Sequence, residues 1–283
     1  MSQAASHDLV QLSPAASRLG AAFARPKVIA VVCVVSLAGL GWLYVGLLTA
    51  GMGGAGVFDV LCRAMVGGDP IRASAVALVA LMWGAMTLAM MLPSAAPMIL
   101  TYAEIADTAA RKAEPVVSPF VLAAGYTAVW FGFAAVATVA QLALTRAALI
   151  DSAMVAASGL FSGAIFIAAG IYQFSALKHA CLRQCQQPFP FFFANWATTP
   201  RGVFRLGVRQ GLYCVGCCWA MMLLMFAVGV MNVIWMAALG IVMTIEKIGI
   251  GKRFSHAVGV TMIAIGATFV IAAIAAHWPT HAV

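Results

Sequence analysis

Five cysteines lie in two short segments whose spacing suits metal binding. Three stand within five residues of the segment YCVGCCWAMMLLMF, namely Cys214, Cys217 and Cys218, and two more, Cys181 and Cys185, are four residues apart. Residues four apart on a helix share a face, so each segment presents two thiols on one side. Thiolates bind soft metal ions such as copper(I), and they also exchange electrons with other thiols. The two segments therefore predict a metal site or a redox site.

Three further residues join these cysteines as predicted metal ligands. Met90 and Met91 belong to the methionine-rich segment MWGAMTLAMMLPSAAPM, whose Pro93 and Pro97 we expect to disrupt the helix that carries them. His179 lies two residues before Cys181. Imidazole and thioether are both accepted ligands of copper. For the methionines, simple packing in an apolar core remains the alternative.

Glu246 is an ionisable residue at the end of an apolar run, where an unpaired charge is costly. It has three possible roles: it completes a metal shell, it neutralises a basic partner such as Lys178, or it reaches toward lipid headgroups beside Lys247. The remaining histidines have the sequence context of tail or interface residues: His7, His256, His277 and His281.

The composition places these residues in a membrane protein. The chain of 283 residues is 64% hydrophobic and 8% charged, and its mean hydropathy is +1.02. Such a chain has too little polar surface to cover a soluble globule. We therefore predict an all-α, polytopic helical bundle in the cell inner membrane, with the lipid bilayer as its surroundings.

Seven apolar runs divide the chain into helices. Residues 1–27 form a polar cytoplasmic tail, and 28–283 form a single transmembrane domain. The segment GVMN at 229–232 separates two short helices that would otherwise be one overlong run. The seven predicted helices cover 28–48, 73–92, 120–144, 155–177, 211–228, 233–250 and 258–277.

The basic residues favour an inside N-terminus and an outside C-terminus, because cytoplasmic loops collect Lys and Arg. In this topology 13 of the 16 basic residues fall on the inner side. The net charge of +8 then reflects orientation and not nucleic-acid binding. All five clustered cysteines would lie at the cytoplasmic mouths of their helices, where thiols stay reduced. Cys33 and Cys62 have the sequence context of packing residues.

Several segments carry a family resemblance: AMMLPSAAPM, YQFSALKHACLRQC, GLYCVGCCWAMM and WMAALGIVMTIEK. Over about residues 75–275 the chain resembles a family of uncharacterised bacterial proteins known as predicted metal-binding integral membrane proteins. The resemblance implies a bound metal but no particular substrate.

Copper(I) is the expected metal, with zinc as the alternative, because the ligands are mainly thiolates and thioethers. The leading hypothesis is a copper(I)-binding membrane protein that transports the ion or delivers it to a metallochaperone or metalloenzyme client. A thiol-based membrane oxidoreductase and a structural subunit of a larger complex remain as alternatives. The sequence contains no nucleotide-binding loop or catalytic triad, so binding is favoured over catalysis and no catalytic residue is predicted.

Overall fold

A computed structural model describes residues 26–50, 73–150, 157–230, 232–249 and 251–277, and these residues form an all-helical bundle. The predicted tail, apart from its last two residues, and Cys62 lie outside the described residues, as does the side chain of Cys33. The α-helices are α1 (Pro26–Ala50), α2 (Ala73–Met86), α3 (Leu92–Arg111), α4 (Pro119–Arg146), α5 (Gly159–Tyr172), α6 (Ala176–Gln186), α7 (Pro188–Ala194), α8 (Pro200–Val228), α9 (Val233–Ile248) and α10 (Lys252–His277).

Polar residues at the helix starts fix where these apolar helices begin. The hydroxyl of Thr199 accepts a hydrogen bond from the Gly202 amide at 3.2 Å, and Pro200 occupies the first helical position of α8. Ser175 caps α6 in the same way, accepting from the Lys178 amide at 3.1 Å. Such caps satisfy amides that have no partner within the helix. The cap at Ser175 also marks the bend between α5 and α6, which differ in direction by 65°.

The break predicted at 229–232 is confirmed. Helix α8 ends at Val228, and Gly229 follows with a φ of 99°, a conformation that residues with a Cβ rarely adopt. Asn232 then caps α9 by accepting from the Trp235 amide at 3.3 Å. The two helices are therefore joined by a tight turn.

The predicted disruption near Pro93 and Pro97 takes a milder form than a break. A single π-helical turn, Thr87–Met91, joins α2 to α3, and α3 continues through Pro97. The two helices form one apolar element from Val76 to Arg111. Prolines lack the amide that an α-helical bond needs, and π-helical turns occur frequently at functional sites.

Helix α8 lies at the centre of the bundle and packs against α4, α5, α6 and α9. It crosses α4 at two glycines, where a Cβ on Gly125 would collide with the Phe204 carbonyl and one on Gly207 with the Leu122 carbonyl. Small residues at a crossing allow two helix backbones to come this close. The close contact holds α4 and α8, which both contribute to the site, in fixed register.

Five helices of the described residues are long and apolar enough to cross a membrane, and the bent pair α5 and α6 would make a sixth if it forms one span. Helix α9 has only 16 residues. The count of seven spans and the orientation stay predictions. Two basic residues that the topology assigns to inner loops, Lys178 and Lys247, instead lie inside the bundle, with exposures of 0% and 6%.

Candidate metal centre

Three thiols of α8 form a compact, buried cluster. The sulfur atoms of Cys214, Cys217 and Cys218 all lie within 4.8 Å of one another. Cys217 Sγ lies 3.3 Å from Cys218 Sγ and donates to the Cys214 carbonyl at 3.2 Å. The spacing of three and four residues brings Cys214 next to the other two across one helical turn. Among the described residues, this is the one group of three or more Cys, His, Asp or Glu side chains close enough to share a metal ion.

The cluster does not lie near the start of its helix, as the predicted bounds of 211–228 had placed it. Helix α8 begins at Pro200, more than three helical turns before Cys214, and extends the predicted helix of 211–228 toward the N-terminus. The three cysteines are at most 1% exposed. The extension contains Arg201, Arg205 and Arg209, whose charges hid its helical character in the hydropathy pattern. A metal bound here would be shielded from water.

A polar ring surrounds Cys214. Its sulfur lies 3.0 Å from the Tyr126 hydroxyl and 3.0 Å from the Lys247 ammonium. Lys247 also donates to the Ser94 hydroxyl at 2.5 Å. The carbonyl of Met91 accepts from both Tyr126, at 3.1 Å, and Ser94, at 2.8 Å. The ring therefore connects α3, α4, α8 and α9, and it places one positive charge against a thiol.

Sequence reasoning missed Lys247, Tyr126 and Ser94 as members of the site. Lys247 was interpreted as a loop charge, although its position after an apolar run was itself unusual. Ser94 follows Pro93 within the disrupted segment, which was already singled out. Nothing in the sequence distinguishes Tyr126 from the other tyrosines, because its role depends on the crossing of α4 and α8.

Cys185 approaches the cluster from α6. It lines a cavity of about 20 Å³ together with Cys214, Lys247 and Gln210, and its side chain interacts with those of Cys214 and Cys217. A cavity of this size holds about one water molecule, so it offers space for one small ion or a solvent ligand. The Gln210 amide nitrogen is buried and has no hydrogen-bond partner in the described part of the chain. The two cysteine segments therefore meet at Cys185.

Cys181 contacts a different part of α8. A Cβ on Gly216 would lie 2.6 Å from the Cys181 sulfur, so the glycine leaves the space that this thiol fills. The Tyr172 hydroxyl donates to the Gly216 carbonyl at 2.5 Å. Cys181 is half-buried, and it lies outside the cluster of three thiols.

The other predicted ligands have their own surroundings in the described residues. Met90 and Met91 are buried in the π-helical turn, and the backbone of Met91 belongs to the polar ring. Both Glu246 oxygens accept hydrogen bonds from the Lys178 ammonium, at 2.9 and 2.8 Å. Of the three roles considered for Glu246, the structure therefore shows the ion pair with a basic partner. Gln173 is a second partner of the Lys178 ammonium. His179 lies beside His256, with 5.3 Å between ring centroids.

The donors present fit a soft metal ion. Three thiols in a dry pocket, a fourth at its edge and a compensating ammonium suit a monovalent, thiophilic ion better than a hard cation, which prefers oxygen ligands. No curated protein and no solved structure matches the chain. Residues 80–269 match the PpoB2 family, which is described as copper chaperone, and this match spans α3 to α9, half of α2 and most of α10. The chain therefore belongs to the copper chaperone family.

Proposed function

We propose that this chain is a multi-pass inner-membrane protein that holds copper(I) on Cys214, Cys217 and Cys218 and delivers the ion to a client metalloprotein. The observation that carries the proposal is the group of three buried sulfur atoms within 4.8 Å of one another. Membership of the copper chaperone family supports copper as the ion and delivery as the task. Copper(I) needs only two or three soft donors, and the cluster supplies them.

The charges around the cluster favour copper(I) over zinc. A copper(I) ion bound by two thiolates, with the third cysteine of the cluster kept as a neutral thiol, has a net charge of minus one, which the Lys247 ammonium, 3.0 Å from Cys214, would balance. Tetrahedral zinc completed by Cys185 would carry four thiolates and a net charge of minus two. One negative charge would then remain uncompensated in a buried site, which is costly.

The outer surface of the bundle supports a membrane location. Large apolar side chains are exposed on several helices, including Val35, Val136 and Ile234, with exposures of 65%, 68% and 81%. Extended apolar surface of this kind needs lipid or a partner protein to cover it. Reporter fusions test the orientation: a fusion after Arg205 should report the cytoplasm, and periplasmic activity there would overturn the proposed topology.

Copper(I) binding under competition tests the function. Protein purified anaerobically with a reductant is titrated with copper(I) in the presence of a chelator strong enough to remove weakly held ions. We expect the wild type to retain about one ion per chain. The variant with Cys214, Cys217 and Cys218 all replaced by Ser should retain none, while a Cys33→Ser control behaves as the wild type. If the triple variant keeps its copper, the thiols are packing or redox groups and the proposal fails.

A further inference from the structure

Two histidines from different helices meet away from the thiol cluster. His179 of α6 and His256 of α10 have ring centroids 5.3 Å apart and ring planes inclined by 75°. Phe174 stacks on the His256 ring at 5.1 Å and 28°, which restricts that ring's orientation. Both histidines are half-buried. They are therefore held in place, and each residue is in part exposed at the surface.

His179 has an unused ligand atom at this contact. Its Nε2 is buried and has no hydrogen-bond partner within the described residues. A buried polar atom normally has a partner, so an isolated one asks for an explanation, and a bound ion is one such explanation. Imidazole nitrogens bind metals at about 2.0–2.1 Å, so two imidazoles that bind one ion in a bent arrangement have centroids about 5–6 Å apart, and a linear pair has them about 6 Å apart or slightly more. The observed separation of 5.3 Å matches a bent pair, and a linear pair would need the rings to move apart by about 1 Å.

The surrounding charges select the kind of ion. Lys178 precedes His179, but its ammonium is neutralised by Glu246 at 2.8 Å. Lys252 also acts electrostatically on His179 and is exposed to solvent. No carboxylate joins His179 and His256 in a cluster of three or more ligands among the described residues. A pair of imidazoles that lies beside a lysine and has no carboxylate opposes a divalent ion more strongly than a monovalent one.

We propose that His179 and His256 form a second copper(I) site, in which two imidazoles hold the ion near the start of α6. Imidazole is a good copper ligand, and two donors are enough for copper(I). The thiol cluster is fully buried and rich in soft donors, whereas this pair belongs to two half-buried residues and has only two nitrogens. The histidine site therefore binds copper more weakly and exchanges it faster with solvent or a partner.

Helix α6 connects the two sites. His179 stands near its start and Cys185 near its end, about 9 Å along the helix axis. Cys185 in turn lines the cavity beside Cys214. The histidine pair therefore serves as a loading or unloading station for the buried thiols. It rests on copper as the ion of the proposed function, but its existence does not depend on binding by the thiol cluster.

The test separates this site from the thiol cluster. Full-length protein with Cys214, Cys217 and Cys218 replaced by Ser is titrated with copper(I) without a competing chelator, and the bound ion is studied by X-ray absorption. We expect about one ion with nitrogen ligands. Adding His179→Gln or His256→Gln should remove that ion and its nitrogen scattering, whereas His277→Gln should leave both unchanged.

A second measurement shows whether a substituted protein is still folded. When each protein is given two equivalents of copper(I), the His256→Gln variant should bind one ion fewer than the wild type. The variant should still retain the chelator-resistant ion. The proposal is overturned if the ion in the serine background is bound through sulfur, or if the histidine substitutions change neither stoichiometry nor nitrogen scattering. Failure of the thiol cluster to bind copper would appear separately, as absence of the chelator-resistant ion.

Discussion

Two buried lysines sit in this bundle in contrasting surroundings. Lys178 faces the carboxylate of Glu246, with both side chains at most 1% exposed. Lys247 faces the Cys214 thiol and the Ser94 hydroxyl, and among the described residues no carboxylate pairs with it. The Lys178 charge lies against a carboxylate, whereas the Lys247 charge lies against the Cys214 sulfur, which balances it only as a thiolate. The ion pair of Lys178 and Glu246 therefore stabilises the bundle, whereas Lys247 belongs to the candidate metal centre.

Consecutive residues of α9 supply both environments. Glu246 and Lys247 differ in direction by about 100° around the helix axis, so one reaches α6 and the other reaches the polar ring. The Gln186 amide also donates to the Glu246 carbonyl at 2.7 Å. The end of α9 therefore ties the structural pair and the metal centre to the same short stretch of backbone.

The largest expected effect comes from breaking the structural pair. Glu246→Ala leaves the Lys178 charge buried without its anion, and such changes cost about 3–5 kcal/mol in the free energy of unfolding. The double variant Lys178→Met with Glu246→Leu should recover most of that loss, because no charge remains buried. Unfolding in detergent measures both. A single variant as stable as the wild type would show that the pair is not structural.

Removing the second lysine should affect copper more than folding. Lys247→Met deletes the charge that balances a copper(I) dithiolate, so we expect copper(I) affinity to fall by about 10- to 100-fold, the usual effect of losing a partner of a metal ligand. The free energy of unfolding should change less than for Glu246→Ala, because the Cys214 sulfur can take up a proton as a thiol and no charge then stays buried without a partner. Chelator competition on the folded protein gives the affinity. If Lys247→Met and Glu246→Ala lowered the free energy of unfolding equally, the two lysines would not have the different roles proposed for them.

The smallest effect is expected at Tyr126. Tyr126→Phe keeps the ring but removes the hydroxyl that lies 3.0 Å from Cys214 and donates to the Met91 carbonyl. Loss of one hydrogen bond of this kind costs about 0.5–1.5 kcal/mol, or a few-fold in copper affinity. Tyr213→Phe, on the same helix as the cluster but outside the ring, is the matched control. The same competition titration should distinguish the two variants.

The sequence predicts the local features of this molecule well, and the features that depend on packing poorly. The described residues of the apolar runs are mostly helical, the turn at 229 is where glycine and asparagine place it, and the thiol spacing predicts the cluster. The run predicted as one helix over 155–177 is instead interrupted by the bend at 173–175. The arginine-bearing start of α8 was not predicted to be helical, because hydropathy does not distinguish a polar helical extension from a loop. The pair of Lys178 and Glu246 was one of three roles that the sequence left open for Glu246. The inward position of Lys247 was not predicted, because it depends on Cys214, 33 positions away.

The same limit explains the histidines. His179 stood out because it neighbours a cysteine motif, whereas His256 resembled an interface residue in its local sequence. Only the packing of α10 against the bend between α5 and α6 brings the second ring beside the first. Such pairs join residues more than 70 positions apart, a distance over which spacing within one segment carries no information.

The ligands of the first bound copper ion decide whether the three buried thiols of α8 hold copper(I). Wild-type protein is loaded anaerobically with one equivalent of copper(I), treated with the competing chelator and studied by X-ray absorption, beside the variant in which Cys214, Cys217 and Cys218 are serine. We expect a sulfur-only shell of two or three ligands in the wild type and no retained copper in the variant. A nitrogen or oxygen shell in the wild type, or retained copper in the variant, would contradict it.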